Sequence, residues 1–145
     1  MKTMAHAVVG TLIITVHTAQ APSAEEWAEY VKELKKVSGG VKDYTQLRNI
    51  VFTDGGAPNS AQRKAVNDIV SSRSVTSAIV SSSSLVRSVV TAFSWFNSLI
   101  KVYAPEEVDD AYRHLRLSSY EIELVEKRLT MLRTQLDVRS VRATG

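Results

Sequence analysis

A chain of 145 residues, 44% of them hydrophobic, is long enough to bury a core and short enough to form one domain. The absence of cysteine excludes a disulfide framework, a thiolate metal site and a cysteine nucleophile, and the three histidines are too scattered to suggest a metal cluster. The net charge of +3 is mild and hints at an acidic partner. The sequence lacks the interleaved basic and aromatic residues that are typical of RNA-binding proteins, so no nucleic-acid partner is predicted.

The first 21 residues resemble a secretory leader, because a lysine and an apolar stretch precede Ala19-x-Ala21. We interpret this segment as strand instead. The stretch "TLIITVHT" is rich in β-branched residues, Gly10 interrupts the apolar run, and Pro22 would stand directly after the cleavage point. We therefore expect a cytoplasmic protein. No run reaches the roughly 20 apolar residues that a membrane-spanning helix needs, so no membrane association is expected.

Strands and helices alternate along most of the chain. Two short strands joined near Gly10 are predicted for "HAVVGTLIITVHT", and a helix follows, in which Ser23 and Glu26 have the spacing of a capping box. Three strand–loop–helix units come next, and their strands are "LRNIVFTD", "VTSAIV" and "LIKVY". This order predicts an α/β fold over residues 1–117, with a mostly parallel mixed sheet of about five strands covered by helices.

The last segment, residues 118–145, is predicted to be a long helix with a basic tail. Ser118 and Glu121 form a second capping box. Apolar residues then recur at steps of three and four, at Ile122, Val125, Leu129, Leu132 and Leu136. Two interpretations of this stripe are open. It could be a dimerisation seam that joins two copies of the chain, or the helix could fold back over its own domain.

Candidate binding residues lie in two loops at the carboxyl ends of predicted strands, where helix N-termini present unpaired N–H groups. The first loop, "DGGAPNS", matches neither the dinucleotide-binding glycine pattern nor the lysine-bearing phosphate loop. The second is a serine run that could form an anion nest. The candidate partner-binding or ligand-binding residues are Asp54, Gly55, Gly56, Asn59, Ser60, Arg63, Ser83, Ser84 and Arg87.

Several of these residues also have a simpler, local explanation. The glycines suit a tight turn. Asn59 with Gln62, or Ser60 alone, can cap the helix that follows the first loop, and Ser84 can cap the helix that follows the serine run. The loops are therefore adequate as turns and caps even if they bind nothing.

The order of the elements and the stretch "LRNIVFTDGGAPNSAQRKAV" resemble the STAS domain family, the bacterial anti-sigma-factor antagonists and their relatives, over residues 5–117. In that family a serine or threonine stands at the start of the second helix, in a segment that typically reads Asp-Ser-Ser-Gly. The segment "PNSAQ" matches this place, so the resemblance puts Ser60 at the phosphorylatable position and Asn59 at the preceding acid. The glycine after the serine is absent, and "GGAP" is inserted before it.

The leading hypothesis is a non-enzymatic regulatory module, which binds a protein partner and is switched by phosphorylation of Ser60. The resemblance implies that such a partner is a kinase-type regulator. The alternative is a module that binds a small molecule, an anion or a lipid between the two loops. An enzyme that uses Asp54 or His17 ranks below both, because neither residue has a catalytic partner at a recognisable spacing. Accordingly, no catalytic residues, no metal and no cofactor are predicted.

Overall fold

The computed structural model describes residues 2–40, 47–70, 75–94 and 99–144, and it describes residues 92–94 and 137–144 by their backbone alone. The strands are β1 Met4–Val9, β2 Leu12–His17, β3 Arg48–Thr53, β4 Thr76–Ser81 and β5 Ile100–Tyr103. The helices are α1 Ala24–Gly39, α2 Ser60–Val70, α3 Ser84–Ser94, α4 Val108–His114 and α5 Ser119–Thr144. The side chains of the predicted basic tail beyond Leu136 lie outside the described residues.

The five strands form one sheet in the order in which they occur in the chain. β1 runs antiparallel to β2, and the other neighbouring strands run parallel. Gly10 makes the turn between β1 and β2 with a φ of 60°, a left-handed conformation that costs glycine little. The predicted α/β fold, with a mostly parallel mixed sheet of about five strands and an additional C-terminal helix, is confirmed.

Helices cover both faces of this sheet. Side chains alternate between the two faces of a strand, so Leu12 and Ile14 of β2 belong to a core with α4 and α5, whereas Ile13 belongs to a second core with Trp27 and Leu34 of α1. All six residues of β2 are consequently buried. Burial on both faces explains why this strand is a continuous apolar run with few polar interruptions.

Glu26 ties the start of α1 to the start of β1. Ser23 and Glu26 form the predicted capping box. The Glu26 carboxylate also accepts hydrogen bonds from the N–H and the hydroxyl of Thr3, at 2.8 and 2.6 Å, and from the N–H of Met4 at 3.1 Å. Partial burial of this carboxylate opposes its ionisation, but these hydrogen bonds prevail and lower the pKa of Glu26 to about 2.

The apolar stripe of α5 packs on the sheet of its own chain. Val125, Leu132 and Leu136 are buried in the same core as β2, and Ile122 and Leu129 are partly buried against that core. Of the two interpretations of the stripe, the helix folded over its own domain is therefore the arrangement that the structure shows. The stripe thus contributes three buried and two partly buried residues to a core that α5 shares with residues 1–117.

A single arginine joins β3 to the end of α4 and to the first turn of α5. The guanidinium of Arg48 donates a hydrogen bond to the carbonyl oxygen of Leu115 at 3.2 Å and forms an ion pair with Glu121. Glu121 also completes the predicted capping box with Ser118. The hydrogen bonds from Arg48 and Ser118 lower the pKa of Glu121, which keeps this carboxylate ionised.

Candidate functional site

The two predicted loops leave the sheet side by side, at the carboxyl ends of β3 and β4, next to the connection that follows β2. His17 pairs with Thr53, and Thr53 pairs with Ser81, in the parallel register of these strands. Each strand is followed by a short connection and then by the N-terminus of a helix, α1, α2 or α3. The structure therefore brings the two candidate loops to the same edge of the sheet.

Backbone geometry explains the two glycines after β3. Gly55 has a φ of 135°, a backbone conformation that residues other than glycine rarely adopt. Gly56 donates its N–H to the carbonyl oxygen of Thr18 at 2.9 Å. A Cβ on Gly56 would lie 2.6 Å from that oxygen and would also overlap the carbonyl of Gln20. The β3–α2 loop is therefore packed against the β2–α1 connection, and it needs glycine at both positions.

The first helical turn of α2 is capped by Asn59. The N–H of Gln62 donates to the Asn59 side-chain oxygen at 2.8 Å, and the N–H of Asn59 donates to the Gln62 side-chain oxygen at 2.9 Å. This reciprocal pair satisfies two N–H groups at the helix start. Of the two caps considered from the sequence, the pair of Asn59 and Gln62 is the observed one, and Ser60 is the first residue of the helix.

Ser60 is exposed and lies beside a positive charge. Its hydroxyl oxygen accepts a hydrogen bond from the guanidinium of Arg63 at 3.1 Å, and the same guanidinium donates to the carbonyl oxygen of Pro58 at 2.9 Å. Arg63 is thereby held over the start of α2. A negatively charged group on Ser60 would meet both this guanidinium and the positive end of the helix dipole.

The serine run after β4 is engaged in bonds within the chain. The buried Ser81 hydroxyl donates to the carbonyl oxygen of Thr53 at 2.7 Å and accepts from the N–H of Ser83 at 3.1 Å. Arg87 donates to the carbonyl oxygen of Ser81 at 2.8 Å. These groups of the predicted anion nest are thus used to hold the end of β4 and the start of α3.

The cap of α3 differs by one position from the sequence prediction. The hydroxyl oxygen of Ser83 accepts from the N–H of Val86 at 3.3 Å, and its carbonyl oxygen accepts from the N–H of Arg87 at 3.1 Å. Ser83 is therefore the cap, and the prediction of Ser84 as the cap was wrong. Ser84 is the exposed first residue of α3, the position that Ser60 occupies in α2.

His17 and Asp54 are adjacent in the backbone but differ in environment. The N–H of Asp54 donates to the carbonyl oxygen of His17 at 3.2 Å. The Asp54 side chain is exposed, whereas His17 is 5% exposed and stacks on Trp27 with ring centroids 6.4 Å apart. Burial lowers the pKa of His17 to about 4, so the imidazole is neutral at pH 7.

A groove between α1 and α2 opens next to the start of α2, and no pattern in the sequence predicted it. The indole N–H of Trp27 donates to the carbonyl oxygen of Gln62 at 2.9 Å, which fixes the two helices side by side. The groove has a volume of about 600 Å³. Its lining consists of Ala24, Trp27, Ala28, Val31, Lys32, Lys35, Asn59, Ala61, Gln62 and Ala65. We call it the α1–α2 groove.

Among the residues that the structure describes, no three or more histidine, aspartate or glutamate side chains are placed to hold a metal ion. In the same part of the chain, no helix combines the length and the apolar character needed to cross a membrane.

Comparison with known proteins adds no assignment to this geometry. No protein-family model matches the chain, and neither a curated protein nor a solved structure is significantly similar to it.

Proposed function

We propose that the chain is a non-enzymatic regulatory module that binds a protein partner at the carboxyl edge of its sheet, with Ser60 as a phosphorylation switch. The proposal agrees with the resemblance of residues 5–117 to the anti-sigma-factor antagonists. The single observation that carries it is the placement of Ser60. Its hydroxyl is exposed at the first position of α2, beside Arg63, while Asn59 and Gln62 perform the capping.

This placement leaves Ser60 free to be modified without loss of the helix cap. A phosphate would add about −1.5 to −2 charges at neutral pH. The positive end of the α2 dipole and the Arg63 guanidinium would stabilise that charge locally. On the surface that faces a partner, the same phosphate would make the region around Ser60 and Arg63 negative instead of positive. We therefore expect phosphorylation to leave the fold intact and to release a partner that carries negative charge.

The test is a pull-down from the native organism with wild-type, Ser60→Ala and Ser60→Glu proteins as bait. We expect one or more partners to be retained by wild type and Ser60→Ala and lost at least tenfold with Ser60→Glu, because only the last variant adds a charge at the interface. Partners are identified by mass spectrometry, and the Ser60 peptide of the endogenous protein is examined for a phosphate in the same samples.

Ser119→Glu is the matched control, since Ser119 is also exposed and also begins a helix, α5, whose first turn bonds to Arg48 at the opposite end of β3. Melting temperatures of all variants check that the fold is unchanged. Identical partner sets for wild type and Ser60→Glu would contradict the proposed switch, and an equal loss with Ser119→Glu would show that the charge at Ser60 has no specific effect.

A further inference from the structure

We infer that the α1–α2 groove is the docking site for an acidic amphipathic helix of the protein partner. This inference rests on the proposed function, because it names the surface and the chemistry by which the partner binds. It goes beyond Ser60 and the loop before it, since all but one of the residues that line the groove belong to α1 and α2.

The walls of the groove are built from small apolar side chains. Ala24 and Ala28 lie one turn apart on α1, and Ala61 and Ala65 lie one turn apart on α2. Small side chains at this spacing let a third helix come close to both helix backbones. Ala24, Ala28 and Ala61 are exposed in the isolated chain, so a bound helix would cover them and remove apolar surface from water.

The dimensions of the groove fit a short helix. On α1 its lining runs from Ala24 to Lys35, which at 1.5 Å per residue is roughly 17 Å, or about three helical turns. Trp27 forms part of the floor, and its indole is fixed to α2 by the hydrogen bond to Gln62. A small ligand needs enclosure over most of its surface, whereas these exposed alanine walls leave one side open, as a docked helix requires.

The charge of the groove selects the partner. Lys32 and Lys35 are both exposed and lie on its α1 side, and none of the described residues that line it is an aspartate or glutamate. The exposed Glu25 and Glu29 are on the same helix but do not line the groove. A helix with an apolar stripe and flanking carboxylates is therefore complementary to this surface in both shape and charge.

The groove also explains how Ser60 could control binding. Asn59 and Ala61, the residues on either side of Ser60, both line the groove. A phosphate on Ser60 would put negative charge at one end of a surface that otherwise presents two lysines. An acidic helix would be repelled there, which is the direction that the proposed switch requires.

The experiment measures binding of two synthetic 18-residue peptides to the full chain. Both carry the same leucine stripe at helical spacing, and the remaining positions are mainly glutamate in one peptide and lysine in the other. Affinity is measured by the change in tryptophan fluorescence, and the site is mapped by NMR amide shifts. We expect the acidic peptide to bind at least tenfold more tightly than the basic one and to shift the amides of α1 and α2 that line the groove.

Charge reversal tests the groove itself. We expect the double variant Lys32→Glu/Lys35→Glu to lose about tenfold in affinity for the acidic peptide, because two favourable charge contacts become repulsive. The control is Lys36→Glu/Lys101→Glu, which changes the net charge equally at exposed sites that do not line the groove. Ala28→Tyr, which fills the groove without altering charge, should weaken binding as well.

Three results would overturn the inference: no binding of the acidic peptide, equal loss with the control variant, or amide shifts outside the groove. Oleate and vesicles of phosphatidylglycerol are tested in parallel. Binding of either one at the groove without binding of the peptide would identify a lipid site and also overturn it.

Failure of this inference is distinguishable from failure of the proposed function. Native partners that are lost with Ser60→Glu but retained by Lys32→Glu/Lys35→Glu would leave the switch standing and remove the groove. Native partners that are lost with Lys32→Glu/Lys35→Glu but retained by Ser60→Glu would support the groove as the docking site and contradict the phosphorylation switch.

Discussion

Asn59 and Ser60 are neighbours, yet the structure gives them different roles. Both residue types cap helices well, so the local sequence allows a helix that starts after either one. The path of the preceding loop decides between them. Gly56 is held against Thr18 by a backbone hydrogen bond, and this contact fixes where the chain turns into α2. Asn59 then occupies the cap, and the hydroxyl of Ser60 remains exposed.

His17 gives the chain a pH-dependent stability at the residue scale. Its pKa is about 4 in the folded chain and about 6.5 when unfolded, so the unfolded state binds more protons between these values. The contribution of His17 to the free energy of unfolding is therefore complete above pH 6.5, and it is lost as the pH falls toward 4. We expect the free energy of unfolding to be about 2 kcal/mol lower at pH 5 than at pH 7, as measured by urea denaturation.

His17→Phe is the matched variant, because phenylalanine can stack on Trp27 but cannot be protonated. His6 also has a pKa lowered by burial and contributes in the same direction, so the difference between wild type and His17→Phe isolates His17. If both proteins lose stability equally between pH 7 and pH 5, the assignment to His17 is wrong.

At the scale of the element, α4 ends in a Schellman motif without the usual glycine. The N–H of Leu117 donates to the carbonyl oxygen of Tyr112 at 3.1 Å, and the N–H of Arg116 donates to that of Arg113 at 3.0 Å. Arg116 takes a φ of 55°. A residue with a Cβ is strained in this left-handed conformation, whereas glycine is not.

We expect Arg116→Gly to raise the free energy of unfolding by about 1 kcal/mol, because glycine relieves this strain. The Arg116 side chain is exposed, so its removal costs little packing. Arg116→Ala keeps the Cβ and should give no such gain, which separates relief of strain from loss of the charge. Thermal or urea denaturation of the three proteins measures the effect. A gain with alanine equal to that with glycine would exclude the backbone explanation.

At the scale of the whole molecule, α5 completes the core on one face of the sheet. Leu132 is buried against that core, whereas Met131, one residue earlier, is 50% exposed. A stripe of this kind has the same spacing whether it packs on its own sheet or on a second chain. Only the position of α5 over the sheet distinguishes the two cases.

Leu132→Ala should therefore lower the free energy of unfolding by about 3 kcal/mol, through lost burial and the cavity left behind. Met131→Ala should change it by less than about 0.5 kcal/mol, as expected for a surface position. Both effects should be independent of protein concentration. A melting temperature that rises with concentration, or a loss of dimer mass in sedimentation with Leu132→Ala, would instead indicate that the stripe joins two chains.

The sequence by itself determined the alternation of strands and helices, the β1–β2 turn at Gly10 and the capping boxes that begin α1 and α5. These features follow from residues within a few positions of each other, whose spacing and backbone preferences can be recognised directly. It also indicated the loop between β3 and α2, which leads to Ser60. The one-residue error at Ser84 arose because several adjacent serines can cap a helix equally well.

Only the tertiary structure decided which face of α5 is covered, that Arg48 bonds to Glu121, and that α1 and α2 line an open groove. Arg48 and Glu121 are 73 positions apart, and Trp27 and the Gln62 carbonyl are 35 apart. Such contacts form because the sheet brings distant segments together in a particular order, and no local pattern of residue types encodes which surfaces will then meet.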